Sequence, residues 1–565
     1  MKLALFAAAI GSLVLLPGCD NGSACEEGEW TCSDDALVLS VCEGGAWTDV
    51  ACMADHGQLC EGGECVDPWR YGAPVWDRCE GHPQATPETL AEKMQSYEDL
   101  SRRLHVHPTL KTMMDVDLAA GATEAEATWA DVATWRTREN DGLWSSLYLT
   151  SQAYRYGATG DAEALEMIKL LLEGEAARMR ITSVPGVFTR QMIPPDVPGI
   201  ACPTDLQSYI PDAEKDDNMW VRIGSDGCIQ TVDGSTLAWV SSDRCGLEEF
   251  DGWCWLDNVS QDEYAGHMLA LAATALLVDD AEVQAVVRDL LQQIGTHLVE
   301  NDLEFIDWDG RRTEHGWIWP TFVAGGFMAA ESLAYLKVCA AVTGDPVLQD
   351  FYDNCLLMRA GEVECFDHGL HATDPYDQVM FELLLYLGTD SCGSNWNNFA
   401  MEMLYLHTLL LYETDPELRA TVQRVLDEKV YNPPDEERPL IEQKNAFYDF
   451  IFAADKALGP GSDGPALDVV ERGICVLRQF PASEQQRDVT CPAAECVEVC
   501  VDRNERPLSA YARLPQERCP ETFLWWGNPY SRDECAANPQ RIFAPSDYLL
   551  PYWMGRYYGF ITADM

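Results

Sequence analysis

The chain has 565 residues, 22 of them cysteine, and its 93 acidic and 38 basic residues give a formal net charge of −55. This balance argues against nucleic acid and against an anionic membrane surface as partners, because both bind through clustered Lys and Arg. The apolar fraction of 47 % is ordinary for a globular protein and excludes disorder over most of the chain. So many cysteines indicate an oxidising compartment.

The first residues have the form of a bacterial secretion signal. Lys2 precedes an apolar run at 3–16, which is too short to span a bilayer comfortably. The run ends in Leu-Pro-Gly-Cys at 16–19, which resembles a bacterial lipobox. The resemblance implies cleavage before Cys19 and attachment of lipid to that cysteine. The alternative is an ordinary signal peptide over residues 1–18 with a chance cysteine.

The rest of the chain is expected to lie outside the lipid. A short tether at 19–24 follows the signal, and no later stretch reaches about 18 apolar residues without charge, so no transmembrane helix is predicted. We therefore expect a protein of the bacterial cell envelope that faces the periplasm or the cell surface. Its contact with the membrane would be the lipid anchor alone.

A cysteine-rich segment at 25–67 predicts a small disulfide module. A segment of this size cannot bury much core, so three disulfides are expected, in a connectivity that the sequence leaves open. Zinc is the alternative, but no Cys-x2-Cys pair is present and His56 is the only nearby histidine. The segment is loosely similar to small cysteine-rich repeats of secreted bacterial proteins, which implies spacing or contact with carbohydrate or protein. Its cysteines are Cys25, Cys32, Cys42, Cys52, Cys60 and Cys65.

Residues 90–565 follow a Pro- and Gly-rich linker at 68–89 and have the periodicity of packed helices. Apolar residues recur at spacings of three and four, and strand patterns are scarce. Brief turns such as 157–161 join the segments into hairpins, where Gly predicts a left-handed C-cap and Asp opens the next helix. Hairpins in this number form an open solenoid or a closed α/α toroid. Helices are predicted at 141–158, 161–180, 262–279, 281–300, 320–343, 345–358, 375–388, 396–412, 416–430 and 440–458.

Two long stretches, 184–260 and 475–541, interrupt the helices. They hold four and six cysteines, and these even counts predict loops that local disulfides hold together. The remaining cysteines outside the module bring the total there to an odd number, so at least one thiol is unpaired. These remaining cysteines are Cys79, Cys339, Cys355, Cys365 and Cys392.

The segment at 136–144, Arg-Thr-Arg-Glu-Asn-Asp-Gly-Leu-Trp, opens a helix with an acid, a glycine and an aromatic residue. Here the chain resembles the six-hairpin glycosidase-like superfamily, and locally the unsaturated glucuronyl and rhamnogalacturonyl hydrolases. In those enzymes the aspartate is a general acid/base, which nominates Asp141. Uncharacterised bacterial members are similar at 260–267, 307–317 and 547–558 as well. The resemblance implies an all-α fold, an α/α toroid of helical hairpins, over residues 90–565.

The residues themselves make a modest case for Asp141. Protonating a glycosidic oxygen requires a carboxyl group of raised pKa in a cleft, and Trp144 and Trp135 could desolvate the acid and stack on sugar rings. The alternative is helix capping, in which Asn140 is the N-cap and Asp141 only favours the positive end of the helix dipole.

The segment at 257–267 supplies a second group of candidates. Asp262 stands in the first turn of a helix and is the predicted second carboxylate. Glu263 and His267 share a helix face, and His267 is a candidate for substrate contact or proton transfer. A capping box of Ser260 and Glu263, with a structural histidine, is the alternative. No HExxH pattern is present, and neither a metal nor a cofactor is predicted.

Cations and aromatic residues elsewhere could contact a sugar. The stretch at 307–317 is predicted to be a hairpin that carries Arg312 and His315, with a solvated turn as the alternative. Arg136, Arg138 and Arg312 could pair with a uronate carboxylate. The run Asn395-Trp396-Asn397-Asn398 suits hydroxyls and rings, although helix capping by Asn397 or Asn398 is as good an explanation. Tyr548 could line a cleft or pack in the core.

These observations predict a carbohydrate-active lipoprotein, a glycoside hydrolase of oligo- or polysaccharides in which Asp141 and Asp262 supply acid and base. A polysaccharide lyase is one alternative, in which His267, His315 and Tyr548 would carry the chemistry. A glycan-binding or scaffold lipoprotein without catalysis is the other. Motifs for a serine nucleophile, a P-loop or a dinucleotide site are absent from the sequence.

Overall fold

The computed structural model divides the chain into two compact units, Met1–Tyr71 and Gly72–Met565. It describes five short strands in the first unit. In the second it describes residues 85–565 except 322–324, 362–364, 366–373, 383–391, 393–394, 434–437, 459–463, 465, 492–497, 503 and 510–511.

The first unit consists of two small antiparallel elements. Three strands form a sheet in the order β1-β2-β3, and β4 pairs with β5 so that Cys60 lies opposite Cys65. Cys42 is buried and disulfide-bonded. The predicted cleavage site with Cys19, and also Cys25, Cys52 and Cys79, lie outside the described residues. The strands are β1 (Trp30–Cys32), β2 (Val38–Glu43), β3 (Ala46–Ala51), β4 (Leu59–Glu61) and β5 (Glu64–Val66).

Helices are the main element of the second unit, and ten of them lie at or near the predicted segments. The helices at Leu90–Leu100, Leu467–Arg478 and Ser546–Tyr557 lie outside those segments. Three of the helices continue into π-helical turns, at Ser101–His105, Phe351–Leu356 and Leu426–Tyr431. The helices are α1 (Leu90–Leu100), α2 (Asp141–Thr159), α3 (Ala162–Arg180), α4 (Gln261–Leu277), α5 (Ala281–Glu300), α6 (Gly325–Thr343), α7 (Pro346–Asp350), α8 (Tyr376–Glu382), α9 (Trp396–Tyr412), α10 (Pro416–Val425), α11 (Ala446–Ala457), α12 (Leu467–Arg478) and α13 (Ser546–Tyr557).

The prediction of an all-α fold, an α/α toroid of helical hairpins, is wrong, because the fold is mixed, with about 49 % helix and 12 % strand. A five-stranded antiparallel sheet has the order β11-β10-β9-β12-β8, and a four-stranded sheet has the order β15-β18-β6-β7. Two further hairpins pair β13 with β14 and β16 with β17. The strands are β6 (Asp115–Leu118), β7 (Val132–Arg136), β8 (Gln191–Ile193), β9 (Trp220–Ile223), β10 (Ile229–Val232), β11 (Trp239–Ser241), β12 (Cys254–Leu256), β13 (Glu304–Ile306), β14 (Arg312–Trp317), β15 (Gln485–Gln486), β16 (Glu498–Val501), β17 (Pro507–Ser509) and β18 (Asn538–Ile542).

Strand length explains why these sheets escaped prediction. A strand of three or four residues shows one or two alternations, which is too few to tell a period of two from a period of 3.6. In β9, for example, the alternation is limited to buried Val221 and Ile223. All five strands of the larger sheet lie within 184–260, so this stretch is a folded insertion rather than an irregular loop.

The predicted helix starts are confirmed at the hairpin turns. Asp161, Asp280, Asp345 and Asp415 are N-caps, and each side chain accepts a hydrogen bond from a backbone N–H in the first turn of the following helix. Gly160, at φ 66°, ends α2 in the left-handed conformation that glycine tolerates best.

The helices pack in pairs, and the last helix returns to the first pair. Helix α2 contacts α3, α4 and α13, while α9 contacts α4 and α6. Helix α6 is long and apolar enough to span a membrane by length and composition, with a mean hydropathy of 1.2. However, 83 % of its apolar stretch is buried inside the fold, as in the core helix of a globular domain.

The disulfides are spread over the second unit instead of being confined to an N-terminal module. Cys202–Cys254 and Cys228–Cys245 confirm local pairing in 184–260. Local pairing in 475–541 holds for Cys519–Cys535 but is wrong for Cys500, which pairs with Cys392 at a separation of 108 residues. Cys355 pairs with Cys365, and Cys339 is a buried free thiol.

A buried lysine joins the five-stranded sheet to the β13–β14 hairpin. The ammonium group of Lys215 contacts the Asp257 carboxylate and lies 3.2 Å from Asp307 Oδ2 and 3.4 Å from Asp309 Oδ2. Burial alone would lower the pKa of Lys215, but the three carboxylates outweigh it and raise that pKa. The lysine therefore stays charged and fixes the hairpin against the start of α4.

Replacing this lysine tests its structural role. We expect Lys215→Met to lower the free energy of unfolding by about 3–5 kcal/mol, because it leaves buried carboxylates without a counter-charge. The matched control is Arg180→Met, which removes a half-exposed pair with Glu249 and should cost below about 1 kcal/mol. Urea unfolding of both variants measures the difference, and equal losses would contradict the assignment.

Candidate functional site

Three helix N-termini meet at the Asp262 carboxylate. Asn140 precedes α2, Asp262 lies in the first turn of α4, and Asn397 lies in the first turn of α9. Asn140 Nδ2 donates to Asp262 Oδ2 over 2.9 Å, and Asn397 Nδ2 donates to the same oxygen over 3.1 Å. Helix N-termini carry partial positive charge, so this meeting point favours an anion.

Neither of the side-chain caps that were the alternative explanations beside this point is formed. The side chain of Asn140 does not cap α2, because its Oδ1 accepts from Arg190 Nη1 over 2.8 Å. Ser260 and Glu263 form no capping box, and Glu263 Oε2 instead accepts from the backbone N–H of Leu143 in α2 over 2.6 Å. Glu263, on the neighbouring helix, thus accepts a backbone N–H from the first turn of α2. The Asn140 side chain is not used for this purpose and instead donates to Asp262.

Asp141, the predicted acid, lies at this junction and is buried, with 5 % of its surface exposed. Its Oδ1 accepts from the Arg138 backbone N–H over 2.7 Å. Burial raises the pKa of Asp141 to about 8, although Arg178 and the Arg138 N–H lower it. At neutral pH the carboxyl group is therefore largely protonated, which is the state that a general acid requires.

A cavity of about 220 Å³ adjoins Asn397, and we call it the cleft. One wall is the start of α9 and the other is the segment between β16 and β18. Two larger cavities of about 390 Å³ each border α5 elsewhere and contain none of the predicted catalytic or substrate residues. The cleft is lined by Asn395, Trp396, Asn397, Asp502, Asn504, Arg506, Glu521, Trp526, Gly527, Asn528, Ser531 and Asp533.

Three polar groups in the cleft wall have no hydrogen-bond partner among the residues that the structure describes. They are the donors Asn528 Nδ2 and Trp396 Nε1 and the acceptor Asn397 Oδ1. Asn528 is 7 % exposed and Trp396 is 8 % exposed. Buried polar groups without partners are costly, so a cavity that collects neutral donors and an acceptor suits a ligand with hydroxyl or amide groups.

Aromatic rings connect the cleft to Asp141. Trp144, one helical turn after Asp141, lies edge-on to Trp526 of the cleft wall with ring centroids 5.5 Å apart. Phe523 lies on the other side of Trp144, at 6.1 Å. Trp144 and Trp526 are partly exposed, as rings that stack on a ligand must be.

The structure does not place His267 in contact with substrate, because it is completely buried. Its Nδ1 lies 2.6 Å from Glu175 Oε2 and its Nε2 lies 3.5 Å from Glu263 Oε2, while Phe188 stacks on the ring at 4.0 Å. Burial alone would lower the pKa of His267, but the two carboxylates outweigh it and raise the pKa to about 9. His267 is therefore a charged link between α2, α3 and α4.

The predicted cations pair with acids instead of facing the cleft. Arg138 Nη2 lies 3.4 Å from Asp115 Oδ2, and Arg312 Nη1 lies 2.8 Å from Glu304 Oε1. Arg136 likewise pairs with an acid, Asp117, at 3.5 Å. A uronate carboxylate would have to displace an acid at each of these arginines.

The remaining predicted residues divide between surface and core. His315 is exposed on β14, as the hairpin prediction implies, but it lies beside Glu314 and outside the cleft. Tyr548 is fully buried, and its hydroxyl donates to the Leu90 carbonyl over 2.8 Å, so it packs in the core. Asn395 is the N-cap residue of α9 but makes no side-chain cap bond.

Sequence reasoning missed two carboxyls in the core beside Asp262. Glu331 of α6 and Glu402 of α9 are fully buried, and the hydroxyls of Tyr335 and Tyr405 lie beside the Glu331 carboxyl. Burial raises the pKa of both, and Asp262 adds to the rise for Glu331. Burial therefore favours the neutral form of both carboxyls. Their helical spacing looks like that of exposed acids, so no local signal marks them.

It also missed the second wall of the cleft, with Trp526 and Asn528. These residues lie in a stretch without helical periodicity. The signal that the sequence offered was the aromatic-Gly-Asn run at 525–528, which lies between Cys519 and Cys535.

Across the parts of the chain that the structure describes, no group of three or more His, Cys, Asp or Glu is arranged to hold a metal ion. Comparison with known proteins adds no assignment: no family model matches the chain, and no curated protein matches it. The site must therefore be interpreted from its own geometry.

The raised pKa of Asp141 predicts a pH dependence of stability. The carboxyl group ionises near pH 3.8 in the unfolded chain and near 8 in the folded one. Between these pH values the folded state binds one more proton than the unfolded state. The contribution of Asp141 to the free energy of unfolding therefore falls as pH rises, by an amount on the order of 5 kcal/mol. Asp141→Asn should therefore gain stability over wild type from about pH 4 to pH 8 in urea unfolding. Parallel profiles of unfolding free energy against pH for the two proteins would contradict the raised pKa of Asp141.

A second prediction concerns His267. Because its pKa is higher in the folded state, its stabilising effect is complete below about pH 6.5 and is lost as pH rises through about 9. We expect His267→Gln to cost about 3–5 kcal/mol at pH 6, since two buried carboxylates lose their partner. His315→Gln, at an exposed site, should change stability by below about 0.5 kcal/mol. A similar small change in both would show that His267 carries no charge.

Proposed function

We propose that this chain is a carbohydrate-active enzyme, a glycoside hydrolase that acts on an oligo- or polysaccharide. The observation that carries the proposal is a cleft of unpartnered neutral donors and acceptors with indole walls, beside one protonated and one amide-bound carboxyl group. Sugars present hydroxyls in the ring plane and apolar faces above it, which amides and indoles match.

The two carboxyls have different environments, and this difference assigns their roles. Asp141 would give its proton to the glycosidic oxygen as the bond from that oxygen to the anomeric carbon breaks. Asp262, which accepts two amide hydrogen bonds, would take the proton of the water that attacks the anomeric carbon, or would itself form the glycosyl intermediate. In both cases Asn140 and Asn397 position Asp262.

The lyase alternative is less well supported. It needs a base near a uronate and a cation for the uronate carboxylate. His267 and Tyr548 are buried and bonded within the core, and the candidate arginines are paired with acids. Glycan binding without catalysis uses the same cleft, and the assay below separates it from hydrolysis.

We also propose that the protein acts in the bacterial envelope, held by lipid at Cys19. Disulfides throughout the second unit support an oxidising compartment. A detergent-extracted chain that incorporates labelled fatty acid in the wild type, but not as Cys19→Ala, would support the anchor.

A product assay tests the enzymatic proposal. The full chain in detergent is incubated with neutral, amino and uronic polysaccharides, and both reducing ends and absorbance from unsaturated uronates are measured. We expect reducing ends without new absorbance, and a loss of about 10²–10⁴-fold in Asp141→Asn and in Asp262→Asn. Asp251→Asn, at an exposed acid outside the cleft, is the matched control and should keep full activity.

Other outcomes would contradict hydrolysis. New absorbance would indicate a lyase. Binding without products in the wild type and in both variants would indicate a glycan-binding protein. Thermal melts of each variant separate lost chemistry from lost folding.

A further inference from the structure

Arg190 is a buried cation that forms no ion pair with a carboxylate among the residues that the structure describes. It directly precedes β8 of the five-stranded sheet and is 6 % exposed. Its Nε donates to the Asn258 carbonyl over 2.7 Å, and its Nη1 donates to Asn140 Oδ1 over 2.8 Å. Both acceptors are neutral, so no acid in direct contact balances the charge of Arg190.

Asn258 holds the guanidinium group in place. Its backbone has the left-handed conformation, at φ 62°, which asparagine adopts more readily than most residues. Its N–H donates to Asp307 Oδ2 over 2.8 Å, and its Oδ1 accepts from the backbone N–H of Glu314 over 2.7 Å. The carbonyl that receives Arg190 is thus fixed by the β13–β14 hairpin, which directs the Nη1 of the arginine at Asn140.

The arginine decides which way the Asn140 amide faces. A guanidinium group only donates hydrogen bonds, so the amide oxygen must face Arg190 and the amide nitrogen must face Asp262. An amide between a cation and a carboxylate makes charge-assisted hydrogen bonds at both ends, and these are stronger than bonds between neutral groups. Arg190 is therefore a counter-charge of Asp262 that acts through one amide.

This arrangement distinguishes the two oxygens of Asp262. Asn140 and Asn397 both donate to Oδ2, over 2.9 and 3.1 Å, and together they occupy its two lone pairs. Oδ1 receives no hydrogen bond from the described part of the chain, and the Asp262 side chain is partly exposed. Oδ1 is therefore the oxygen that is open to a water molecule or a ligand.

We propose that Arg190 is a positioning residue, which holds Asn140 against Asp262 Oδ2 so that Asp262 Oδ1 faces the substrate. The inference rests on the proposed function and identifies the reacting oxygen. Oδ1 takes a proton from the water whose oxygen bonds to the anomeric carbon. The electron pair of the broken bond stays on the glycosidic oxygen, which takes the proton of Asp141. The insertion at 184–260 thus contributes to the site.

Crystal structures test the positioning without a substrate. Arg190→Lys keeps the charge, but one ammonium group cannot reproduce the two fixed donors of the guanidinium fork. We expect the Asn140 side chain to turn, with loss of the hydrogen bond from its Nδ2 to Asp262 Oδ2. The control is Arg222→Lys, in β9 of the same sheet, where the side chain lies over the Trp239 ring and its replacement should leave that bond intact. The same bond unchanged in Arg190→Lys would overturn the inference.

Kinetic measurements locate the effect in the chemical step. The probe is the polysaccharide that yields the most reducing ends in the product assay. We expect Arg190→Lys to lower kcat by roughly 10²-fold with KM unchanged, because Arg190 acts on the position of Asp262 and does not line the cleft. Asn140→Ala should lose as much, and the double variant should lose no more than Asn140→Ala alone. Losses that multiply, or a change in KM alone, would contradict a role through Asn140.

The outcomes separate this inference from the proposed function. If the wild type yields products and Arg190→Lys yields them at the same rate, the inference fails and the proposed hydrolase stands. If the wild type yields no products from any polysaccharide, the proposed function fails, whereas the crystal structures still decide whether Arg190 positions Asp262. Thermal melts identify any variant that has lost its fold, and Arg190→Gln, which keeps a neutral donor, then replaces Arg190→Lys.

Discussion

The close approach of α2 and α4 is the constraint on which the site depends. A Cβ at Gly142 would lie 2.7 Å from Glu263 Oε2 and from His267 Nε2, and a Cβ at Gly266 would lie 2.5 Å from Leu143 Cδ1. Only glycine fits at these two contacts, so the helices meet at their N-terminal ends. Glu263 can then accept the Leu143 N–H, and this contact between helices replaces the side-chain cap that Asn140 would otherwise supply. Asn140 is therefore available to hold Asp262.

Buried polar groups fall into two sets with different meanings. Glu98 accepts from Tyr148, Gln152 and Trp553. The groups around Lys215 and His267 are likewise paired by opposite charge, and such pairing fixes the relative positions of helices at modest net stability. Buried polar atoms without a hydrogen-bond partner within the described residues occur in many parts of the fold. Those of Asn397, Trp396 and Asn528 differ from the rest because they line the cleft, where a ligand can supply the missing partners.

The features that the sequence predicted are those that depend on interactions between residues close together in the chain. Helix positions and Asp N-caps followed from turns such as 157–161. Asp262 was a candidate from its place in a first helical turn, whereas Asp141 was nominated by the resemblance of 136–144. The sheets could not be predicted in this way, because β6 pairs with β18 more than 400 residues later, as Asp117 opposite Arg541 shows. His267 illustrates the same limit: its spacing from Glu263 was visible, but the burial and the second carboxylate, Glu175, that fix its charge come from other parts of the chain.

Covalent links hold the two walls of the cleft together. Cys392 lies just before Asn395 at the start of α9, and Cys500 lies just before Asp502 on the opposite wall, so their disulfide joins the walls directly. Cys519–Cys535 closes the segment that carries Trp526 and Asn528. A wall with short strands and no helical packing has little core of its own, and cross-links limit its conformational freedom in place of buried surface. The long-range pairing of Cys500, which the sequence did not reveal, thus holds the amides at the start of α9 opposite the second wall of the cleft.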